Sequence, residues 1–195
     1  MALSEIRLHE LVRKAIHMSS SAIPLLYWFV LDRQIILQGV IILALGFLLA
    51  EYFRLHSSSS KRLFVKFFGS ALRPHEHKNL TGATYVFTGS VLCIFLFPKE
   101  IAVPSLLVLS LSDTFAALIG IPFGKHKFLA KSAEGSAAFF IVTLLILNAF
   151  IPGMFVLNLL VAATLTLAEA SPINLDDNFV IPILSGILLS LTHLI

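Results

Sequence analysis

The sequence predicts an all-α integral membrane protein built as a bundle of about seven transmembrane helices. Of its 195 residues, 57% are hydrophobic and only 13% are charged, whereas an ordinary soluble domain carries about 25% charged residues. The mean hydropathy is +0.93, and the apolar residues form long runs separated by short polar stretches, a pattern typical of multispanning proteins. The bilayer therefore takes the place of a soluble core, and we predict that residues 1–195 form a single membrane-embedded domain.

The predicted spans follow the apolar runs, and several are shorter than the usual length of about 20 residues. For such short spans three interpretations stay open: a tilted helix, a half-embedded helix or a helix that lines a cavity. Pro24, Pro104 and Pro182 lie inside apolar runs and should kink or offset their helices. Pro152-Gly153 predicts a tight turn between the fifth and sixth spans. The seven spans cover residues 15–31, 35–53, 82–98, 101–121, 136–151, 153–170 and 178–194.

Basic residues are distributed unevenly among the polar segments. The N-terminal segment, the loop after the second span and the loop after the fourth span hold twelve of the 14 lysines and arginines. If seven spans alternate, these segments share one side of the membrane, and only Arg33 and Lys99 lie on the other. The positive-inside rule then predicts that the N-terminus and this basic face are cytoplasmic.

Two further features are predicted to be structural. Cys93 is the only cysteine and lies in an apolar run, so we expect a small core residue and no internal disulfide. Ser57–Ser60 is a low-complexity segment, and we expect it to be a flexible part of the basic loop.

The first candidate site lies where the chain enters the first span. Glu10, Arg13, Lys14 and His17 are spaced i, i+3, i+4 and i+7, so they share one face of a helix. These basic residues could simply touch lipid headgroups at the membrane surface. His17 is followed at once by the apolar span, however, so it must face protein or a cavity, which favours a functional face.

Asp113 lies inside the fourth apolar run, about 12 Å from its cytoplasmic end if the helix rises about 1.5 Å per residue. A carboxylate at that depth is costly and indicates function, although a hydrogen bond between helices is an alternative. The segment continues to Gly120, Gly124 and Lys125. Glycines let backbone amides approach a phosphate, and the lysine adds positive charge. The string is not a P-loop, because no strand precedes it and no Ser or Thr follows the lysine.

A second phosphate-binding candidate is Lys131-Ser132-Ala133-Glu134-Gly135, at the mouth of the fifth span. We expect Lys131 and Glu134 to lie three residues apart at the start of a helix. A helix N-terminus with a lysine beside it favours an anionic phosphate. The alternative is a plain surface ion pair between these two residues.

Acidic residues near the end of the chain complete the pattern. Glu169 ends the sixth span, and Asp176, Asp177 and Asn178 precede the seventh. Asp177 or Asn178 could cap the last helix, but a cap leaves the other carboxylates unexplained. Carboxylates beside a phosphate site usually hold Mg²⁺, which prefers oxygen ligands. Combined with the basic and glycine-rich segments, they predict phosphoryl or nucleotidyl transfer to a membrane lipid.

The loop after the second span contains one weaker metal candidate, His75-Glu76-His77. Histidines two residues apart on a basic loop are more often solvated than metal-bound. Within this loop Arg73 and Glu76 are the better candidates for the site.

Six short motifs follow one another along residues 10–186 on the predicted cytoplasmic face. They are Glu10-Leu-Val-Arg13-Lys14-Ala-Ile-His17, Leu80-Thr81-Gly82-Ala83-Thr84-Tyr85, Ser112-Asp113-Thr114-Phe115-Ala116, Gly124-Lys125, Lys131-Ser132-Ala133-Glu134-Gly135-Ser136 and Asp176-Asp177-Asn178. In this combination the chain resembles the CTP-dependent lipid kinase family, which includes dolichol kinase, phytol kinase and the CTP-dependent diacylglycerol kinase. The chain is short, as in the phytol kinase and bacterial-type members.

The resemblance implies transfer of the γ-phosphoryl group of CTP to the hydroxyl of a lipid alcohol, either a polyprenol, phytol or diacylglycerol. It implies CTP, a lipid alcohol and membrane lipids as partners, and no nucleic acid. The nucleotide is cytosolic and the lipid lies in the bilayer, so the site should face the cytoplasm at the membrane surface.

Roles for the candidate residues follow as hypotheses. Asp113 and Asp177 would hold Mg²⁺, supported by Asp176, Asn178 and Glu169. Arg13 and Lys14 would stabilise the transferred group, with Glu10 orienting Arg13. His17 would act as general base or orient the lipid hydroxyl. The nucleotide-binding residues would be Gly120, Gly124, Lys125, Lys131, Ser132, Glu134 and Gly135.

Two other functions are weighed against the kinase. Phosphatidate cytidylyltransferases are similar in the aspartate, Gly-Lys and Lys-Ser-x-Glu-Gly region, and such an enzyme would make a CDP-lipid. This chain ends without the His-Gly-Gly and Asp-Arg pattern expected of them, which favours the kinase. A lipid or ion-coupled transporter would carry charges at mid-membrane in several helices, and only Asp113 fits that description.

Overall fold

The computed structural model describes residue 10 and residues 13–69, 72–172 and 175–192. Arg7, part of the predicted basic N-terminus, and the last residues of the seventh predicted span lie outside this described part. The same holds for residues 173–174 in the acidic loop between Glu169 and Asp177.

The described chain is helical apart from one small hairpin. A first helix, α1, includes residues 13–19. The later helices are α2 (Ala22–Phe29), α3 (Arg33–His56), α4 (Ser58–Phe68), α5 (Gly82–Leu96), α6 (Lys99–Leu107), α7 (Asp113–Phe123), α8 (Ala133–Phe150), α9 (Phe155–Ala170) and α10 (Asp177–Thr192). A π-helical segment, Val108–Ser112, joins α6 to α7, and a 3-10 helix, Pro74–His77, precedes α5.

Three helices are long and apolar enough to cross a membrane within the described residues: Arg33–His56, the continuous stretch Lys99–Phe123, and Ala133–Phe150. Shorter apolar helices cover Gly82–Leu96, Phe155–Ala170 and Asp177–Leu191. The all-α prediction is therefore confirmed, together with a membrane-spanning character for part of the chain. Seven spans and a cytoplasmic N-terminus stay predictions.

The first predicted span is divided into two helices. A turn at Ser20 and Ser21 separates α1 from α2. A continuous helix would need the backbone N–H of residue 24 to bond the carbonyl of residue 20, and Pro24 has no N–H to donate. The predicted disturbance at this proline therefore takes the form of a break that leaves α1 free to turn its polar face toward the site.

The fourth predicted span contains a local widening next to its proline. Pro104 lies in α6, and the π segment Val108–Ser112 begins four residues later. A π segment redirects the side chains that follow it and is common at functional sites. Asp113 is the first residue of α7 after this segment.

The turn predicted between the fifth and sixth spans is present. Pro152 and Gly153 form it, and Gly153 adopts φ +87°, a conformation that glycine accepts without steric cost. The short connection makes α8 and α9 neighbours, and they pack against each other.

Ser57–Ser60 is ordered, contrary to our expectation of a flexible loop. Ser57 is the N-cap of α4, and its side chain accepts a hydrogen bond from the Ser60 backbone N–H over 3.4 Å. Serine is a preferred N-cap because its hydroxyl satisfies an N–H that the first turn leaves unpaired.

A hairpin between α7 and α8 departs from the all-helical prediction. Its strands are β1 (Lys127–Phe128) and β2 (Lys131–Ser132), paired antiparallel. Lys131 therefore lies in a strand before α8, and the expected helical spacing of Lys131 and Glu134 is wrong. The Ala130 N–H donates to the Ala170 carbonyl over 2.9 Å, which holds the hairpin beside the end of α9.

One buried apolar cluster lies among α5, α6, α8, α9 and α10. Cys93 is fully buried within it, as predicted for a small core residue. Large apolar side chains on the outside of the bundle are exposed, including Ile42 at 69% and Leu145 at 65%. A bilayer would cover these outer surfaces, since soluble proteins rarely expose such continuous apolar faces.

Candidate active site

A polar cavity of about 410 Å³ lies between α1, α7, β2, α8 and α9. Its volume is within the range of roughly 300–1,000 Å³ that is usual for ligand pockets. Arg73 lines it, and Ala116, Ala117 and Ile121 of α7 form an apolar part of its wall. Of the predicted site residues, it is lined by Glu10, Arg13, Lys14, Asp113, Gly120, Lys131, Ser132, Gly135 and Glu169.

Asp113 is held by two basic side chains of α1. Its Oδ2 accepts a hydrogen bond from Lys14 Nζ, which also donates to the Asp113 carbonyl over 3.1 Å. His17 Nε2 lies 3.3 Å from the same Oδ2 and 3.1 Å from the Leu109 carbonyl oxygen. Lys14, His17 and Asp113 are each buried. Lys14 and His17, on the helix face predicted from the spacing, therefore face protein.

Arg13 is directed by its neighbour on the same helix face. The Glu10 Oε2 atom accepts from Arg13 Nη2 over 2.5 Å and from Nε over 3.2 Å. Both side chains are partly exposed and line the cavity. The guanidinium is thus held at the edge of the cavity with part of its surface open to a ligand.

Lys131 joins the two acidic segments that are far apart in sequence. Its Nζ donates to Glu169 Oε1 over 2.7 Å and to Asp177 Oδ2 over 3.0 Å. Burial lowers the pKa of Lys131, but the two carboxylates outweigh burial and raise it above its ordinary value. Lys131 therefore keeps its charge at neutral pH. The alternative that we considered, a surface ion pair of Lys131 with Glu134, does not form, because Lys131 contacts α9 and α10 instead.

Asp176 is the residue that caps α10. Its Oδ1 accepts a hydrogen bond from the Asn178 backbone N–H over 2.9 Å. We had considered Asp177 or Asn178 as the cap, so the observed cap lies one residue earlier than either. The Oδ2 atom lies 3.7 Å from Arg73 Nη1. The pKa of Asp176 is raised above its ordinary value because burial raises it by more than the Asn178 N–H and Arg73 lower it. Asn178 Nδ2 donates to the Gly82 carbonyl over 3.3 Å, which connects α10 to the start of α5.

Gly120 and Gly135 bring α7 and α8 into close contact. A Cβ atom added to Gly120 would lie 2.8 Å from Ser132 Oγ and 3.2 Å from Gly135 Cα. A Cβ atom added to Gly135 would lie 2.9 Å from the Ala116 carbonyl oxygen. Ser132 is the N-cap of α8 and accepts from the Gly135 N–H over 3.2 Å. These glycines therefore have a packing role whatever they bind, as small residues do between membrane helices.

Three predicted nucleotide-binding residues lie outside the cavity wall. Gly124 ends α7, where a Cβ atom would lie 2.8 Å from Ser132 Oγ. Lys125 is exposed in the next position. Glu134 points to His126 instead of the cavity, and its Oε1 lies 2.8 Å from His126 Nδ1. All three residues flank the β1–β2 hairpin in the chain.

A buried ionic network that we did not predict supports the Arg73 loop. Arg54 and Glu51, each 2% exposed, form an ion pair at the end of α3. Arg54 donates to the Glu76 carbonyl over 2.8 Å. The Glu51 Oε1 atom accepts from the Thr81 N–H over 2.9 Å. These hydrogen bonds hold the loop between α4 and α5 against the end of α3.

The predicted second span ends at residue 53, which leaves Arg54 in the basic loop that follows it. The available signal was Glu51, an acidic residue inside an apolar run with an arginine three positions later, because such pairs are adjacent on a helix. The Glu76 side chain belongs to the same network, since it accepts from the Gly82 N–H over 2.9 Å and from the Arg73 N–H over 2.8 Å. Of the two residues that we preferred in this loop, Arg73 lines the cavity and Glu76 does not, and their part in the site stays a prediction.

The acidic residues of the cavity have the chemistry of a Mg²⁺ site. Among the described residues, no three His, Cys, Asp or Glu side chains are already grouped to hold a metal. Lys14 contacts Asp113, and Lys131 contacts Glu169 and Asp177. The Glu169 Oε2 atom is nonetheless buried without a hydrogen-bond partner in the described part of the chain. A free carboxylate oxygen beside Asp177 fits an oxygen-binding cation.

Comparison with known proteins agrees with the motifs. The chain is 33% identical to an uncharacterized protein of Rickettsia prowazekii, over 69% of this chain and 67% of that protein. It is 28% identical to CTP-dependent diacylglycerol kinase 1 of Schizosaccharomyces pombe, over 94% of this chain and 93% of the relative. The kinase of the same name from Saccharomyces cerevisiae is 26% identical over 93% of this chain and 73% of the relative.

No family model matches the chain, and no solved structure matches it. The fungal matches extend over almost the whole chain, as the six motifs do. The cavity is lined by residues of three of those motifs, the ones that contain Lys14, Asp113 and Lys131. The motifs and these relatives together support the CTP-dependent lipid kinase family for this chain.

Proposed function

We propose that this CTP-dependent lipid kinase transfers the γ-phosphoryl group of CTP to the free hydroxyl of a membrane lipid at the cytoplasmic surface. Diacylglycerol is the first substrate to test, because the fungal relatives are named CTP-dependent diacylglycerol kinases. The observation that carries the proposal is the single cavity in which Arg13, Lys14 and Lys131 lie with Asp113 and Glu169.

The composition of the cavity wall suits a substrate with a polar and an apolar part. Ala116, Ala117 and Ile121 of α7 line the same cavity as the acidic and basic groups. An apolar wall on a membrane helix accommodates the body of a lipid, while the charged residues accommodate phosphates. The lipid hydroxyl would enter along α7, with the nucleotide bound toward the β1–β2 hairpin.

The charged groups support phosphoryl transfer by positioning and neutralisation, as in other kinases. The hydroxyl oxygen bonds to the γ-phosphorus, the bond from that phosphorus to the β-phosphate oxygen breaks, and CDP leaves. Asp113, next to the apolar wall, takes the hydroxyl proton. Arg13 and Lys14 neutralise the transferred group. His17 contacts Asp113 but does not line the cavity. We therefore assign it to positioning Asp113.

The triphosphate would be held by Lys131 together with the N-terminal turn of α8. Ser132, Gly135 and Gly120 supply the close backbone there, and Lys125, Glu134 and Gly124 form the rim toward the cytosol. Glu169 and Asp177 would hold Mg²⁺, with Asp176 and Asn178 supporting the start of α10. Asp113 is left out of this ligand set because Lys14 already contacts its carboxylate and we assign it the hydroxyl proton. The ion would neutralise phosphate oxygens when bound.

The cytoplasmic orientation rests on the distribution of basic residues and on the location of CTP. Arg13, Arg73 and Lys131 come from three segments predicted to share one face, and all three line the cavity. Cysteine labelling with a membrane-impermeant reagent in intact cells, using Lys127→Cys and the opposite-side Glu100→Cys, tests this orientation. Labelling of residue 127 in intact cells would contradict it.

The substrate is tested with purified protein in lipid nanodiscs. The assay compares diacylglycerol, a polyprenol and phytol as acceptors, and CTP and ATP as donors. We expect label from the γ-phosphate of CTP on one lipid alcohol, and none with Asp113→Asn assayed at a temperature at which that variant is still folded. Phosphorylation from ATP at the same rate, or undiminished activity of Asp113→Asn, would contradict the proposal.

A further inference from the structure

Helix α4 (Ser58–Phe68) lies on the outside of the bundle, directly after a membrane-crossing helix. A single residue, Ser57, divides it from α3, and none of its residues is buried. α3 is long and apolar enough to cross a membrane. Its last turn carries Arg54, which belongs to the network beside the cavity. α4 therefore begins where α3 leaves the membrane, at the same end of the protein as the cavity.

The two faces of α4 differ sharply in chemistry. At about 100° per residue, Leu63, Phe67 and Phe68 share one face, and Lys61, Arg62 and Lys66 share the other. Leu63 is 61% exposed, Phe67 68% and Phe68 54%. A helix with aromatic and aliphatic residues on one face and lysine and arginine on the other lies in the plane of the membrane surface.

A basic groove runs along the polar face of α4. It has a volume of about 610 Å³ and is lined by Ser58, Lys61, Arg62, Val65, Lys66 and His77. Three cationic side chains line it and no carboxylate does. Among the described residues these three cations make no ion pair, whereas the cations of the active-site cavity are paired with carboxylates. The groove thus carries a positive charge that the protein leaves uncompensated.

We propose that α4 is an anionic-lipid-binding helix. Its apolar face inserts at the boundary of headgroups and acyl chains, and the basic groove binds the phosphate of an anionic phospholipid. Charge complementarity favours an anionic phospholipid as the ligand. A neutral lipid surface would cover the apolar phenylalanines but would leave the three cations without a counter-charge. This inference goes beyond the kinase activity and does not depend on it.

The structure also connects α4 to the active-site loop. The Arg54 guanidinium lies 5.4 Å from the centre of the Phe64 ring, a cation–π distance. Arg54 holds the Glu76 carbonyl, and the Glu76 side chain accepts from the Arg73 N–H. Through these contacts α4 adjoins the loop that places Arg73 at the cavity.

The test uses the full-length protein in nanodiscs of phosphatidylcholine, with or without phosphatidylglycerol. A single cysteine is placed at Phe67→Cys or, as a matched control on the polar side of the same helix, at Ser59→Cys. Both are made in a Cys93→Ala background and labelled with an environment-sensitive dye. Brominated lipids then report how close each dye lies to the acyl chains.

We expect quenching at position 67, stronger with phosphatidylglycerol, and little at position 59. Replacing Lys61, Arg62 and Lys66 by glutamine should weaken docking about a hundredfold, since each basic residue near an anionic surface contributes about 1 kcal/mol. Lys61→Arg with Lys66→Arg keeps the charge and should keep the docking. Circular dichroism and the thermal midpoint confirm that each variant is folded.

Equal quenching at both positions, or no response to phosphatidylglycerol and to the glutamine variant, would overturn the proposal. Protection of position 67 that appears only with an added protein would do the same, because it would identify α4 as a protein-binding surface. The readout is dye quenching, so a failure of the kinase assay leaves this test intact.

Discussion

The contact between Lys14 and Asp113 can be separated from catalysis by a double-mutant cycle. Lys14 is 3% exposed and Asp113 is 9% exposed, so removing either partner leaves the other as an uncompensated buried charge. Such a loss costs about 3–5 kcal/mol, whereas replacing both partners is often nearly neutral. We therefore expect Lys14→Met and Asp113→Asn each to destabilise the protein, and the combined variant to regain most of the loss.

The size of the effect is measurable by thermal unfolding in detergent. For a chain of this length about 1 kcal/mol shifts the midpoint by about 2–4 °C, so each single variant should lose about 6–20 °C. Lys78→Met, at an exposed position, is the matched control and should change stability by less than about 0.5 kcal/mol. All three cavity variants should lack kinase activity, including the stable double variant.

The reasoning predicts non-additive losses, with an interaction energy well above the error of about 0.5 kcal/mol for independent sites. Losses that simply add in the double variant would refute the buried ion pair. A double variant that recovers activity together with stability would show that the pair has a structural role only.

Three further predictions concern other parts of the structure. Glu51→Gln removes the counter-charge of a buried arginine and a hydrogen bond from Thr81, so it should lower the unfolding midpoint and raise the KM for CTP. Gly120→Ala should destabilise by about 1–3 kcal/mol through overpacking, whereas Gly39→Ala, where an added Cβ meets nothing within 4 Å, should be neutral or stabilising. The pKa of Lys131 is raised, so its contribution to stability is complete below pH about 10.4 and is lost as the pH rises through the raised pKa. Lys131→Gln should remove that alkaline loss, as measured by unfolding between neutral and alkaline pH.

The sequence predicted the parts of the site that depend on local spacing. Glu10, Arg13, Lys14 and His17 share a helix face because four residues at i, i+3, i+4 and i+7 must do so in any helix. Asp113 stood out because a carboxylate within an apolar run needs a partner. The partner itself, Lys14, lies 99 positions away, and spacing alone does not identify such a contact.

Other features depended on competition between local and tertiary interactions. Lys131 was expected on a helix, but a two-residue strand and contacts to Glu169 and Asp177 place it elsewhere. Ser57–Ser60 looked flexible by composition, yet a serine cap and the amphipathic residues after it make a helix. In these cases the residues' propensities were compatible with several structures, and long-range contacts selected one.

The central claim is that the cavity transfers the γ-phosphoryl group of CTP to a lipid hydroxyl. Its most direct test supplies purified protein in diacylglycerol-containing nanodiscs with CTP labelled on either the α- or the γ-phosphate. The account predicts that label enters the lipid only from the γ-phosphate, that CDP is released, and that Asp113→Asn abolishes both. Entry of the α-label into the lipid with release of pyrophosphate would contradict it and would indicate CDP-lipid synthesis instead.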